Sequence, residues 1–192
     1  MYRNSQAFGG LDLLRSTAND REIGGLLLDG GGFLNPDSSS EDDLQFIELM
    51  NHTGYHASTI GAGELARGAA YLASLVRHMK FDLLNCNYRF AEAVLRETVK
   101  PYTVFRYGKG RIGVTGVGAE VNSPDVSVAD PVKALQKVVK VLREQEGCDT
   151  VICLANLGFK DSQYNNLRLA TTTDGVDLII GGGTLAGRTH GT

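Results

Sequence analysis

GLLLDGGG, residues 25 to 32, reads as a strand that stops abruptly: Gly25-Leu26-Leu27-Leu28 is a short apolar run, and Asp29 leads into three consecutive glycines. A run of this length bounded by turn residues is the pattern of a strand covered on both faces. Glycine is what the backbone needs where it turns sharply or lets another group approach. The same pattern returns near the other end of the chain, where a buried strand at residues 177–180 runs into Gly181-Gly182-Gly183 and then Thr184, Leu185 and Ala186. It occurs twice in between, at Gly61-Ala62-Gly63-Glu64 after a weak strand at 56–60, and at Asn156-Leu157-Gly158 after a buried strand at 151–154. In a parallel α/β sheet all four turns fall on the C-terminal edge, where ligands bind. Yet the turns carry few side chains able to do chemistry.

Helices fill the gaps between these strands. Ser40-Glu41-Asp42-Asp43 opens one, with a serine to cap free amides and acids at the positive end of the dipole. Leu44, Ile47 and Met50 are its expected inner face, and Gly54 stops it. Residues 64–79 form an amphipathic stretch with Leu65, Ala69, Leu72 and Val76 on one stripe, followed by a strand at 82–86. Residues 102–107 and 111–115 flank Gly108-Lys109-Gly110, the composition of a hairpin loop. Asp130-Pro131 starts another helix, which Gly147 ends. The alternation predicts one α/β domain over residues 1–192, mostly parallel, with one antiparallel hairpin.

Composition bounds the function. With 42% hydrophobic and 21% charged residues and a net charge of −3, the chain has no basic stripe for nucleic acid or an anionic membrane. No apolar stretch approaches the ~20 residues of a membrane span, and MYRNSQAFGG lacks the apolar core of a signal peptide. Cys86, Cys148 and Cys153 lie in or beside apolar runs without a CxxC pair, so buried free thiols are expected.

Taken in order, LLLDGG, IELMNHTGYHASTIGAGE, KPYTVFRYGKGRIGVTGV, the Asp-Pro helix, VICLANLG and GVDLIIGGG closely resemble the calcineurin-like metallophosphoesterases, specifically the catalytic domain of bacterial 5'-nucleotidases and UDP-sugar hydrolases. The likeness spans nearly the whole chain. It implies a four-layer α/β/β/α sandwich, expected to be incomplete at both ends, because the family's opening Asp-x-His strand and the strands after its last histidine motif have no counterpart. It further implies two divalent metals at the C-terminal strand ends, bridged by a carboxylate, with a metal-bound water attacking phosphorus and an Asn-His pair stabilising the transition state. By resemblance alone, the compartment would be extracytoplasmic, periplasmic or at the cell surface.

Position by position, the chain departs from that site. Gly32 stands where the family has its bridging aspartate, and Asp29 matches a preceding acid that is not a ligand. Ala62 and Gly63 replace the asparagine and histidine of Gly-Asn-His-Glu, leaving Glu64. Asn156 aligns with the histidine of Ser-His-Leu-Gly, and Gly183 and Leu185 with the two histidines of Gly-Gly-His-x-His. Glycine, alanine and leucine offer no donor to a dication, so no catalytic residue, bound metal or cofactor is expected. His52, His56 and His78 belong to the opposite edge; His190 alone follows a crevice loop.

The reading is therefore a catalytically inactive metallophosphoesterase-like domain acting as a binding or interaction module, with a nucleotide-like ligand and a homo-oligomer or strand-donating partner as its expected associations. A weak phosphoesterase using Glu64, Asn156 and His190 is the alternative. A dinucleotide-binding domain is the lesser one, because Gly61-Ala62-Gly63-Glu64-Leu65-Ala66 fits G-x-G-x-x-G/A. That fingerprint needs an acid ending the next strand, whereas Asp82 begins it and Asn85 and Asn87 end it.

Overall fold

A computed structural model describes residues 25–158 and 163–182. Three parallel strands come first: β1 (Leu28–Asp29), β2 (Ala57–Thr59) and β3 (Asp82–Leu84), paired in that order. A second sheet has four strands in the order β5 (Tyr102–Tyr107), β6 (Gly110–Gly118), β8 (Thr150–Asn156) and β9 (Leu178–Gly181). Here β5 and β6 form the antiparallel hairpin, while β8 and β9 run parallel to β6. The remaining strands, β4 (Tyr88–Phe90) and β7 (Val126–Val128), make a separate antiparallel pair.

Side-chain alternation along the strands assigns the layers. On β8, Val151, Cys153 and Ala155 pack with Leu135, Val139, Leu142 and Leu169 of the helical side, while Ile152 and Leu154 pack with Ala57, Leu84 and Val114. On β3, Leu83 joins a cluster with Ile47, Met50, Leu72 and Val76, and Leu84 turns to the other sheet. One layer of helices therefore covers each sheet, and the two sheets face one another: α/β/β/α. Contact between the sheets is close enough to dictate composition. A Cβ on Gly116 of β6 would lie 2.3 Å from Thr59 Oγ1 and 2.4 Å from Leu84 O, so only glycine fits.

Among the described residues the α-helices are α1 (Ser40–Thr53), α2 (Ala62–Leu65), α3 (Ala69–Val76), α4 (Ala93–Thr98), α5 (Pro131–Lys140), continued by a π-helical turn at Val141–Gln145, and α6 (Asn166–Thr172). Ser39, one residue before the expected cap, caps α1 in a capping box with Asp42, and Gly54 closes the helix in a left-handed conformation. Its inner face differs from expectation. Ile47 and Met50 are buried, but Leu44 is 36% exposed and Asp43 is buried instead. Asp43 pairs with Arg67 and accepts hydrogen bonds from Ser38 Oγ and from Tyr71 Oη at 2.7 Å, the partners a buried carboxylate requires.

Three further differences have local causes. The stretch at 64–79 is two helices, α2 and α3, because Gly68 takes φ 90° between them; the predicted stripe of Leu65, Ala69, Leu72 and Val76 is nonetheless buried. β9 is half-exposed, with Leu178 49% accessible, because it is the outer strand of its sheet among the described residues. The β4/β7 pair adds a second antiparallel element at strands too short for a periodic signal. All three cysteines are buried and free, as expected. No helix among the described residues is long and apolar enough to cross a membrane.

Candidate functional site

The glycine turns converge, as far as they lie within the described residues. β1 ends at Asp29, whose Oδ2 accepts hydrogen bonds from Gly31 N at 2.9 Å and Ser58 Oγ at 2.7 Å, bending the chain at once. Gly31 and Gly32 then take φ of 81° and 83°. Two consecutive residues in this region are open only to glycine at low cost. Gly32 is exposed at the tip, and Leu34 returns into the core beneath α1 and α3.

The second turn, after β2, carries Glu64, which is 1% exposed. Its two oxygens are both engaged by backbone: Oε2 accepts from Gly61 N at 2.8 Å and Oε1 from Leu34 N at 3.1 Å. Burial pushes the carboxyl's pKa up, opposed by hydrogen bonds from the Gly61, Leu34 and Gly32 amides. Of its neighbours, Ala62 is exposed and Gly63 half-buried.

Asn156, the last residue of β8, sits between these turns and is 7% exposed. Its Nδ2 donates to Gly30 O at 3.0 Å, and its own carbonyl accepts from Ala119 N at 3.0 Å. A Cβ on Gly61 would lie 2.1 Å from Asn156 Oδ1, so the absence of a side chain at Gly61 makes room for this amide. From β9, Gly182 approaches the same place: a Cβ there would lie 2.1 Å from Gly30 O. Gly183, Leu185 and His190 lie outside the described residues.

Beneath the turns lies a polar layer that the sequence did not single out as part of the site. Asn85 Oδ1 accepts from Asn87 N at 2.9 Å and Tyr88 N at 2.7 Å, while its Nδ2 donates to Ile60 O at 3.3 Å. Asn87 Oδ1 accepts from Gly118 N and its Nδ2 donates to Gly118 O, both at 2.9 Å. These amides tie the ends of β2, β3 and β6 together. Burial, then the nearby Glu64 charge, raises the Tyr88 phenol. The signal that could have found this layer is Asn-x-Asn directly after an apolar strand: polar groups placed where burial is certain must have partners.

The three described histidines lie at the other end, as the sequence indicates. His56 precedes β2, accepts Leu27 N at 3.1 Å on Nδ1 and stacks edge-on against Phe105. His52 and His78 line a hollow of about 360 Å³ with Leu44, Glu48, Asn51 and Lys80.

Two dications would need several converging donors. Among the described residues no group of three His, Cys, Asp or Glu side chains comes together in that way. Among the described residues at the turns, Gly32, Ala62 and Gly63 bring no donor to the metals the resemblance implies. Both Glu64 oxygens face backbone N–H groups, and the Asn156 NH₂ faces a carbonyl.

No family model matches the chain. A snake venom 5'-nucleotidase from Gloydius brevicauda is 28% identical over 150 residues, covering 73% of this chain. The alignment takes in 25% of that protein, so the chain spans about a quarter of the length of the curated relative. Among solved structures, a 5'-nucleotidase precursor from Thermus thermophilus superposes with a TM-score of 0.79 at 26% identity, covering 91% of this chain and 36% of that one. The calcineurin-like phosphoesterase YfkN from Bacillus subtilis superposes with a TM-score of 0.71 at 23% identity, over 89% of this chain and 61% of that one, a likeness of fold. The homologues of this chain are thus 5'-nucleotidases and calcineurin-like phosphoesterases, and the α/β/β/α sandwich is the fold it has in common with them.

Proposed function

We propose that this chain is a non-catalytic metallophosphoesterase-like domain that works by binding rather than by hydrolysis. One observation carries the reading: at the second glycine turn both carboxylate oxygens are already engaged by backbone. Glu64 takes the Gly61 and Leu34 amides, Asn156 takes the Gly30 carbonyl, and Gly32, Ala62 and Gly63 have no donor to give. Without a dication, the attacking water keeps the high pKa of bulk water and the developing phosphate charge loses several kcal/mol of stabilisation.

A weak phosphoesterase is the second reading, favoured by the relatives, which are named as nucleotidases. Metal analysis of the purified protein, with hydrolysis of a chromogenic phosphodiester in added manganese, separates the two. The binding reading expects neither metal in stoichiometric amount nor manganese-dependent turnover. Two equivalents of manganese, zinc or iron per chain would overturn it. The dinucleotide reading fares worse, because Glu64 occupies the Gly61 amide that a pyrophosphate would use, and NAD titration tests it.

A nucleotide-like ligand is the binding partner the relatives make most natural, and an extracytoplasmic setting accords with one relative being a venom protein and another a precursor. Association is proposed at the strand edges, since β9 is a half-exposed outer strand among the described residues. A strictly monomeric mass by light scattering across micromolar concentrations would count against it.

A further inference from the structure

We propose that residues 30–34 form a strap that closes the strand-end crevice, latched at one end by the Asn156 amide and at the other by the Glu64 carboxylate. This inference deepens the non-catalytic reading and rests on it in one respect: Glu64 and Asn156 are taken as positioning residues for the strap rather than as ligands.

The geometry is a two-point attachment. At the β1 end, Asn156 reaches across 126 positions of chain to hold Gly30 O at 3.0 Å. At the core end, Glu64 holds Leu34 N at 3.1 Å, 30 positions away, while its other oxygen binds Gly61 N at 2.8 Å and so fixes the carboxylate itself. Between the latches, Gly31 and Gly32 with φ of 81° and 83° fold the strap back on itself. Its far end is anchored by apolar packing: Leu34 is 5% exposed, and the Phe33 ring meets Phe81 edge-on at 5.9 Å.

The strap lies over the second turn. A Cβ on Gly63 would come within 3.1 Å of Leu34 O and 3.7 Å of Gly32 Cα. Anything entering over Gly63 must displace the strap first. Each latch removes a buried polar group that would otherwise lack a partner, so releasing one exposes the other to the loss. The latches are therefore coupled, although they come from different sheets.

Site-resolved hydrogen exchange on the full chain tests the coupling. Asn156→Ala deletes the amide, and Asn156→Asp keeps its volume while replacing the donor with an acceptor. Both should speed exchange of the Leu34 amide, at the opposite latch, by about fivefold, the factor matching the loss of one net hydrogen bond. The amides of residues 151–155 in β8, which report opening of the sheet, should exchange at the unchanged rate. An unaltered Leu34 amide in either variant would overturn the strap. So would equal acceleration in β8, because Asn156 would then merely hold the sheet together. Manganese-dependent hydrolysis by the unsubstituted chain would instead refute the non-catalytic reading, and the exchange result would stand independently of it.

Discussion

One face of a single strand carries two kinds of stability. Along β8, Ile152 and Leu154 enter the core between the sheets, where Leu154 is fully buried among Ala57, Leu84 and Val114. Two residues further on the same face, Asn156 is buried nearly as well, but among glycine turns, and it holds them by a hydrogen bond. At the first position any apolar group of the right volume contributes, because burial is non-directional. At the second the contribution depends on one donor facing one acceptor, and an error there leaves two groups unpaired. The same fold thus tolerates drift in its interior and little at its glycine turns.

The largest effect should come from the interior. Leu154→Ala removes buried methyls from a layer closed on both sides by sheets, which cannot easily collapse, so a loss of about 2–5 kcal/mol is expected by denaturant unfolding. A loss under about 1 kcal/mol would mean that the sheets are loosely apposed, and would break the comparison at its firmer end.

The next effect belongs to Glu64. Glu64→Gln presents an NH₂ where one oxygen accepted, setting it against Gly61 N or Leu34 N, at an expected cost of about 1.5–3 kcal/mol. The pH dependence separates this from simple packing. Burial raises the folded-state pKa of Glu64 above its unfolded value, so between the two values the folded chain binds the proton that the unfolded chain has released. This group's contribution therefore favours folding below the unfolded pKa and declines as pH rises through the folded one. Asp42, Asp130 and Asp177 have lowered pKa values and the opposite slope, lost as pH falls, but they are common to both proteins. The stability difference between wild type and Glu64→Gln, measured from pH 4 to 8, isolates Glu64. A wild-type advantage that shrinks as pH rises agrees with burial raising this carboxyl; one that grows would show that the backbone amides win over desolvation.

These differences also explain what the sequence could disclose. Strand runs such as 151–154 and the caps at Ser39, Gly54 and Asp130 are local patterns, and they emerged within a residue or two. The glycine turns could be placed on a common edge, because parallel topology puts them there. What remained illegible was pairing over distance. Nothing local says that Asn156 meets Gly30 or that Asp43 enters the core to meet Arg67 while Leu44 faces out, and Asn-x-Asn signals buried amides at 85 and 87 without naming the strand ends they join. Gly68 was missed for a related reason: the apolar stripe continues across it, and periodicity does not register a glycine that changes the chain's direction.

The smallest expected effect is on activity, and it tests whether the crevice differs from a working site by side chains alone. If it did, restoring one ligand would begin to restore function. Gly32 has φ 83°, where an aspartate is strained, so Gly32→Asp should shift the turn instead of presenting its carboxylate on the existing backbone. At Gly63, a histidine Cβ would press on Leu34 O at 3.1 Å, so its imidazole must move the strap before reaching the crevice. Each metal also needs several donors at once, and catalytic groups that act as a unit are not additive. Gly32→Asp and Gly63→His should therefore leave chromogenic phosphodiester hydrolysis in manganese at the level of the unsubstituted chain. Manganese-dependent turnover in either variant would show that the backbone has kept a competent site and only its ligands were lost.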